Sequence, residues 1–490
     1  MRGQLLVTLT DDNEVGSIAF MDIYINSVIR KKIYSNQTKT YSCPIYVDDV
    51  VDLVYSGTSS FTNINLSRTD YTTDDVAGDL GIKETQISLT QTSGITFTAT
   101  TVSNTYDFTY FVDGFIDSCF PNNNVAFNET VYDSEMQPDG KILCSGTFTQ
   151  YSGTNVNNIC RLNTDGTLDT TFNYTEPTVL NFGIGDMKLL PDGDIIARIQ
   201  SFRVGKIKSN GDLDTTFNIG NFSSQIPIEE EVIDIQSNGN ILFGGSFNTY
   251  TSAGQTSTKQ AIVSLNPNGT IDTTFNQFGT GFTAGSVRDI CIQPDRKILL
   301  AGSEFISYNG VALTKCGLIR LNPDGSLDTS FIRNTSTNVI GYEVELLSDG
   351  KILFYNSFGG FDGNSSRRLV RLNSDGSLDT TFNSLALSGN TGYLVFDLLV
   401  DDLDNTYISG IDLIYSGVSI PSLFRINYNG IKDTTFDNGL GFLGFKGPYD
   451  IEFSRGGSLY AVGDFSAYYN SSFVSSNIMK INPDGTPFLC

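Results

Sequence analysis

The chain has 490 residues, more than one hydrophobic core usually holds, so at least two cores are expected. A formal net charge of −24 argues against nucleic-acid partners and against anionic membrane surfaces, because it repels phosphate groups. The sequence contains no histidine, which excludes Ser-His-Asp triads, Cys-His pairs and histidine-ligated metals.

The N-terminal region, residues 1–105, predicts about eight short strands separated by polar turns. The expected strands are residues 4–9, 17–25, 32–34, 40–47, 51–55, 63–67, 84–89 and 95–102. This pattern favours a small β-sandwich with an immunoglobulin-like topology, although the Cys…Trp…Cys signature is absent. The first residues do not resemble a signal peptide, and no apolar run is long enough for membrane insertion. Residues 104–110 are expected to lead directly into the next domain.

Three motifs recur seven times in the remaining residues, 106–490. Asp-Thr-Thr-Phe or a close variant occurs at residues 117–120, 169–172, 214–217, 272–275, 328–331, 379–382 and 433–436. A strand and turn of the type Arg-Leu-Asn-Pro-Asp-Gly occurs at residues 161–166, 206–211, 264–269, 320–325, 371–376, 425–430 and 480–485. A hairpin of the type Gln-Pro-Asp-Gly-Lys-Ile-Leu occurs at residues 137–143, 190–196, 236–242, 293–299 and 347–353, with degenerate copies at 401–408 and 454–460.

A period near 50 residues with four short apolar stretches predicts a seven-bladed β-propeller with four-stranded blades. The motif order also predicts how the ring closes. A fourth-strand motif at residues 113–120 has no blade before it, and the last repeat ends after its third strand. The N-terminal strand near Ile116 should therefore complete the last blade. We expect the recurrent Phe to pack between neighbouring blades.

The same motifs resemble the delta-60 repeat β-propeller family, over about residues 110–490. The resemblance is carried by residues 137–143, 302–310 and 321–328. It implies a scaffold found in bacterial surface proteins and phage virion proteins, and it implies no shared catalytic residues. The chain departs from the family pattern at residues 401–408 and in the short second repeat, so these blades are expected to be irregular.

Four features of the sequence are candidate sites, and each favours a structural role. Residues 401–405, Asp-Asp-Leu-Asp-Asn, offer oxygen ligands for calcium but lack EF-hand spacing, so a turn is preferred. Glu229, Glu230 and Glu231 are read as a solvated blade edge, with metal capture as the alternative. Phe-x-x-Tyr at residues 148–151, 247–250, 305–308 and 465–468 is read as packing between blades, with sugar stacking as the alternative. The seven cysteines are read as free thiols.

The connections between second and third strands vary most in length, as residues 248–260 and 198–202 show. Variable loops on one face are predicted to form the binding face. No catalytic, cofactor or metal residues are predicted, and no cofactor. A hydrolase would need several carboxylates at one channel mouth with shifted pKa values, and the recurrent aspartates are expected only in turns.

The sequence therefore favours a non-catalytic structural component of a bacteriophage virion, associated with the tail or fibre and similar to virion proteins of crAss-like phages. The expected localisation is the virion, assembled in the host cytoplasm. Its expected partners are other virion proteins in a multi-subunit assembly, and a glycan or protein of the host surface. The N-terminal domain would dock to the particle. The alternative is a bacterial surface adhesin or carbohydrate-binding propeller.

Overall fold

The computed structural model describes the backbone of nine strands between residues 2 and 112, and much of the chain from residue 127 onward. The described later segments are residues 127–174, 183–200, 203–223, 231–258, 260–331, 339–357, 368–382, 395–401, 403–416, 418–436, 440–454, 458–469 and 472–487. The chain divides into two compact units, Met1–Ser118 with Phe453–Ser458, and Cys119–Glu452 with Leu459–Cys490. All regular elements of the described segments are strands. None of these segments holds a helix that could span a membrane.

The first unit contains nine strands in two antiparallel sheets. The strands are β1 (Arg2–Asp11), β2 (Phe20–Ile25), β3 (Val28–Tyr34), β4 (Lys39–Tyr46), β5 (Val50–Ser56), β6 (Phe61–Tyr71), β7 (Ile82–Ile87), β8 (Ile95–Val102) and β9 (Thr105–Val112). Their orders are β4-β1-β6-β7 and β3-β2-β5-β8-β9. All eight predicted strands are present. The ninth, β9, was expected to lead into the propeller but pairs with β8 along its whole length.

The second unit repeats one antiparallel arrangement. The strands of its first three repeats are β10 (Val131–Met136), β11 (Ile142–Gly146), β12 (Gln150–Tyr151), β13 (Thr154–Asn155), β14 (Ile159–Leu162), β15 (Met187–Leu189), β16 (Ile195–Gln200), β17 (Arg203–Ile207), β18 (Gly220–Ser223), β19 (Val232–Ile235), β20 (Ile241–Gly244), β21 (Thr249–Ser252), β22 (Gln255–Ser257) and β23 (Ile262–Leu265).

The strands of the last four repeats continue the pattern. They are β24 (Ser286–Ile292), β25 (Ile298–Tyr308), β26 (Val311–Leu321), β27 (Ile340–Leu346), β28 (Ile352–Ser357), β29 (Leu369–Leu372), β30 (Val395–Val400), β31 (Thr406–Gly410), β32 (Ile414–Tyr415), β33 (Val418–Ser419), β34 (Leu423–Ile426), β35 (Leu440–Phe453), β36 (Leu459–Tyr469) and β37 (Ser472–Ile481).

The main sheet of each repeat has three strands in the described segments, not the four that were predicted, except in the second repeat, where β18 adds a fourth. The order is first-second-third, as in β10-β11-β14 and β24-β25-β26. The Asp-Thr-Thr-Phe segment adds only one bridge to the third strand, for example Leu162 with Leu168. The reason is local. Asp169 Oδ1 accepts hydrogen bonds from the backbone N–H and hydroxyl of Thr171, which turns the chain before a fourth strand can form.

An arginine on the third strand explains why the motifs recur together. In four repeats its Nε donates to the Asp of the Asp-Thr-Thr-Phe segment at 2.8–2.9 Å, and the guanidinium lies over the Phe of that segment. The sets are Arg161, Asp169 and Phe172; Arg320, Asp328 and Phe331; Arg371, Asp379 and Phe382; and Arg425, Asp433 and Phe436. Each guanidinium also donates to a backbone carbonyl in the next repeat, at Ser209, Ser374, Tyr428 and Pro483 respectively. The motifs thus join successive repeats.

The connection between second and third strands folds back over the outer edge of its own repeat. We call this hairpin the arm. In the fourth repeat the arm is the distal part of β25 and β26, closed by Asn309 and Gly310 at positive φ, as a tight two-residue hairpin requires. Tyr308 Oη on the arm donates to the carbonyl of Gly325 at 2.6 Å, in the turn after the third strand. The variable connections had been predicted to project from one face. The arm instead folds over the outer edge of its repeat.

The second repeat lacks an arm, since only two residues separate β16 from β17. In its place β18 pairs with both β17 and the arm strand β21 of the third repeat. This pairing joins the two repeats in one six-stranded sheet. The short second repeat is irregular, as expected.

Changing Tyr308 to phenylalanine should lower the free energy of unfolding by about 1–2 kcal/mol. The change removes the hydroxyl and leaves the buried Gly325 carbonyl without this donor. Denaturant unfolding measures the loss, and Tyr132→Phe, at a side chain that is 38% exposed, is the control. Equal stability of the two variants would contradict the anchoring role of the arm tyrosine.

The hydrophobic core lies between repeats. Phe172 packs among residues of the first two repeats, Phe217 between the second and third, and Phe275 between the third and fourth. The expectation that the recurrent Phe packs between neighbouring blades is confirmed. The same holds at the ends of the unit, because Phe148 and Val131 of the first repeat share a cluster with Tyr460 and Val462 of the last. The predicted closing strand near Ile116 lies outside the described residues.

Candidate functional site: a ring of carboxyl groups

Six of the seven repeats carry an acidic residue at one position, on the first strand or directly before it; in the third repeat this position is Val232, and the acid, Asp234, lies two residues further along. The set is Asp133, Asp186, Asp234, Asp289, Glu343, Asp397 and Asp450, and we call it the carboxyl ring. The first strands of the first six repeats contact one another in succession, and the first strand of the first repeat, β10, contacts β36 of the last, so we call these first strands the inner strands. Each ring residue is partly exposed to solvent.

Most ring carboxyls hold the inner strand of the next repeat. Asp133 accepts a hydrogen bond from the backbone N–H of Met187 at 2.7 Å, and Asp289 accepts one from Val344 at 2.6 Å. In the same way, Asp186 accepts a hydrogen bond from the backbone N–H of Ile233, and Asp397 accepts one from Ile451 at 2.9 Å. A carboxylate that accepts a backbone N–H satisfies a donor that sheet pairing leaves free. The ring therefore has a structural role in linking repeats.

The last repeat holds the first in the same way. Asp450 Oδ2 accepts hydrogen bonds from the backbone N–H of Ser134 at 3.0 Å and from its hydroxyl at 2.5 Å. A second contact crosses the same seam, where Asn477 Nδ2 donates to the carbonyl of Glu129 at 2.6 Å. The two ends of the repeat array thus meet through the contact that joins interior repeats.

A second tier lies two residues further along each inner strand, because alternate residues of a strand share a face. It consists of Glu135, Lys188, Cys291, Glu345, Leu399 and Glu452, and in the third repeat of Asp234 itself, all partly exposed. Lys188 is the only cation of the two tiers and lies 2.9 Å from Glu135 Oε1. Ten carboxyls therefore share one ammonium.

Burial and neighbouring charges raise the pKa values of the ring carboxyls. Burial is the largest cause, and it raises the pKa of Asp186, Asp289 and Asp450 to about 6 and that of Asp234 to about 7. The pKa values of Asp133, Glu343 and Asp397 also lie well above the ordinary range, through burial and then repulsion by neighbouring ring carboxyls. Neighbouring acids keep the pKa of the Lys188 ammonium above its usual value, against the effect of its own burial.

A cluster of carboxyls of this kind attracts cations and repels anions. Among the described residues no three His, Cys, Asp or Glu side chains are grouped closely enough to hold a metal ion directly. The expectation that recurrent aspartates occur only in turns is wrong for these residues.

The calcium-like segment at residues 401–405 forms a turn in its described part. Asp401 Oδ1 accepts hydrogen bonds from the backbone N–H groups of Leu403 and Asn405. Asp401 also exchanges backbone hydrogen bonds with Asp404 and Asn405. Its carboxylate is thus used within the turn.

Glu231 is not part of a solvated edge, which corrects the prediction for the acidic run. Its side chain is 2% exposed and lies 2.8 Å from Arg198 Nε, and burial raises its pKa to about 8. Glu229 and Glu230 lie outside the described residues.

The Phe-x-x-Tyr pairs are buried, which confirms packing and contradicts sugar stacking for the described rings. Phe305 and Tyr308 have no exposed surface, and Phe148 and Tyr151 are equally enclosed. The side chain of Tyr468 lies outside the described residues. A third aromatic that the sequence did not reveal completes each group, because the segment entering the repeat pairs with the arm. Phe282 lies 4.7 Å from Phe305 and 4.8 Å from Tyr308, and Phe127 and Phe222 are its equivalents.

A signal for the carboxyl ring was present in the sequence. Six of the seven repeats carry Asp or Glu at one position ahead of the hairpin motif, mostly beside apolar residues, as in Tyr342-Glu343-Val344 and Phe396-Asp397-Leu398. An acid between two apolar residues is the ordinary alternation of a half-exposed strand, so only its recurrence over most of the repeats marks it.

Five segments of the chain match a family model described as "Domain of unknown function (DUF5122) beta-propeller". They are residues 137–172, 236–275, 293–331, 347–382 and 457–487. The first four run from the hairpin motif to the Phe of Asp-Thr-Thr-Phe, so the model covers the repeat seen here. The second and sixth repeats, which were expected to be irregular, contain no matched segment. The second unit is thus a β-propeller. No curated protein matches the chain.

Solved structures of low similarity include the C-terminal WD40 domain of Sif2 (11% identity, TM-score 0.38, 76% of this chain and 88% of that one). Another is YCF48 bound to D1 peptide (11%, 0.37, 71% and 95%). A third is the extracellular domain of a protein described as a hybrid two component system of B. thetaiotaomicron (12%, 0.32, 86% and 50%), so this chain matches half of that structure. At these TM-scores the likenesses indicate no function.

Proposed function

We propose that the second unit is a closed seven-bladed β-propeller that serves as a rigid, non-catalytic binding platform. The observation that supports it most is the contact between its ends. Asp450 binds Ser134 as Asp133 binds Met187, and the aromatic Tyr460 packs into the cluster around Phe148. A ring joined at every seam resists deformation, which suits a scaffold that presents a fixed surface.

The binding surface that we propose is the outer rim, where the arms differ between repeats. Apolar side chains are exposed there on otherwise polar segments. Ile306 and Val311 lie on the arm of the fourth repeat, and Val418, which is 65% exposed, lies on the arm of the sixth. Phe278, which is 96% exposed, lies in the segment before the fourth repeat. This segment contacts the fourth arm, because the backbone N–H of Gly281 donates to Asn309 Oδ1. Exposed aromatic and aliphatic groups of this kind anchor protein interfaces.

The two sheets of the first unit are proposed to form a β-sandwich, and this domain is proposed to dock to the particle. The assembly that we propose is a bacteriophage virion, with the chain near the tail or fibre and other virion proteins or the host surface as partners. This proposal rests on the family resemblance of the repeats. Mass spectrometry of purified particles should find the chain as a stoichiometric component, and its absence would refute the virion assignment.

Triple replacement of Phe278, Ile306 and Val311 by serine should prevent incorporation of the chain into its native assembly. The reason is the loss of apolar contact area on the rim, while the buried side of the arm is unchanged. Electron microscopy of the assembly measures occupancy, and thermal unfolding checks that the variant is folded. Leu403→Ser, at a 48% exposed position in a turn between first and second strands, is the matched control. Normal incorporation of the triple variant would contradict a rim interface.

A hydrolase in the channel is the second candidate, favoured by the carboxyl ring alone. Glycoside hydrolysis needs one carboxyl kept protonated and one ionised, and ring members with raised pKa values meet the first condition. Turnover of chromogenic glycosides by the native chain, abolished by Asp234→Asn, would support it. Absence of turnover over a broad substrate panel supports the platform.

A further inference from the structure

We propose that the carboxyl ring is a pH-dependent clasp, which holds the closed propeller more tightly in mildly acidic solution than in alkaline solution. The geometry carries this inference. Carboxyls of adjacent repeats lie on inner strands that contact each other or are hydrogen-bonded across the seam, so ionised neighbours repel one another. The same carboxyls accept the hydrogen bonds between inner strands, so repulsion acts directly on the contacts that close the ring.

Asp450, at the seam between last and first repeats, shows which charges act on the clasp. The charged groups that face it are Asp133 and Glu135 of the first repeat, Lys188 of the second, Glu343 of the fifth and Asp397 of the sixth, with Glu452 on its own strand. One ammonium cannot neutralise this many carboxylates. Full ionisation therefore leaves the seam under mutual repulsion, and partial protonation relieves it.

The sign of the effect follows from linkage. In the unfolded chain these carboxyls titrate near pH 4, whereas in the ring several titrate near pH 6 or 7 because burial raises their pKa. The folded state thus binds more protons between these values. The stabilisation is complete below about pH 4 and is lost as the pH rises through about 6–7.

The motif aspartates act in the opposite direction at lower pH. Burial alone would raise the pKa of Asp169, Asp328 and Asp379, but hydrogen bonds from Thr or Ser, Lys and Arg hold it well below the ordinary value. Their stabilising effect is present above about pH 4 and is lost below it. The stability of the propeller should therefore be greatest between about pH 4 and 6.

Urea unfolding of the full chain at pH 5, 6.5 and 8, at constant ionic strength, tests the clasp. The folding equilibrium constant at pH 5 should exceed that at pH 8 by at least about tenfold. Between pH 5 and pH 8, a single carboxyl with its pKa raised from 3.8 to about 6 contributes up to about tenfold, reduced here by partial exposure to water, and several ring members contribute together. A pH-independent stability, or a lower stability at pH 5 than at pH 8, would overturn the proposal.

Asp450→Asn separates the clasp from a general effect of acid. The amide oxygen can still accept the Ser134 hydrogen bonds, but the charge is removed, so the pH dependence should fall by about tenfold. Asp295→Asn, at an exposed turn carboxyl, should retain the full dependence. If Asp450→Asn does not fold, Glu343→Gln carries the same test. An unchanged pH dependence in the ring variant that folds contradicts the clasp.

Lys188→Met provides an independent test with the opposite sign. Removal of the ammonium leaves the ring without its internal counter-ion, so the difference in stability between pH 5 and pH 8 should grow by about tenfold. A smaller or unchanged difference would contradict the position of this ammonium among the carboxyls.

Discussion

Replacement of Arg371 by methionine is expected to lower the free energy of unfolding by about 3 kcal/mol, the largest effect of any single arginine in the repeats. Arg371 is fully buried and donates to Asp379, to Thr381 and to the Tyr428 carbonyl of the next repeat. Methionine fills much of the space but leaves a buried carboxylate and a buried carbonyl without this partner. Breaking a buried ion pair from one side costs about 3–5 kcal/mol.

The expected cost lies at the lower end of that range because Lys351 still pairs with Asp379 at 2.9 Å. Arg203→Met is the matched control. Its guanidinium donates to Asn221 in an exposed pair, so the change should cost less than about 1 kcal/mol. Denaturant unfolding of both variants measures the difference. Equal losses would contradict the role of the buried arginine in joining repeats.

Phe148→Ala should destabilise the protein by about 3–5 kcal/mol, as truncation of a fully buried ring usually does. Phe148 lies 4.3 Å from Phe127 and packs in the cluster that joins the first repeat to Tyr460, Val462 and Ile478 of the last. The ring therefore contributes to the closing seam of the propeller.

Phe247→Ala is the control that makes this a test of closure. Phe247 occupies the equivalent position at the seam between the second and third repeats and is equally buried. In a closed ring the two variants should lose similar stability, within about 1 kcal/mol. If the first and last repeats did not meet in solution, Phe148→Ala would cost much less than Phe247→Ala. Hydrogen exchange should also show early opening of β10 and β36 in Phe148→Ala.

The repeat fold could be read from the sequence because its signals are local and repeated. Asp-Gly turns fix the hairpins, and the apolar strands between them recur with one period. The length of the fourth strand could not be read in this way. Thr171 favours a strand by propensity, but its hydroxyl donates to the Asp169 carboxylate, and the segment makes only one bridge to the third strand.

The arms and the carboxyl ring depend on contacts between distant residues, which no local pattern specifies. The sequence shows Phe148 and Tyr151 but not that Phe127 joins them, since that contact requires the arm to fold back on its own repeat. Likewise, Asp450 and Ser134 are 316 positions apart, and only closure of the array brings them together. The burial of Glu231 could not be predicted for the same reason, because its partner Arg198 belongs to the preceding repeat.

An experimentally determined structure of the chain, by crystallography or electron microscopy, tests the central claim most directly. We predict seven sheets around one channel, lined by the carboxyls of the inner strands, with the Asp450 carboxyl bonded to Ser134. A different number of sheets, or first and last repeats that lie apart, would contradict the account.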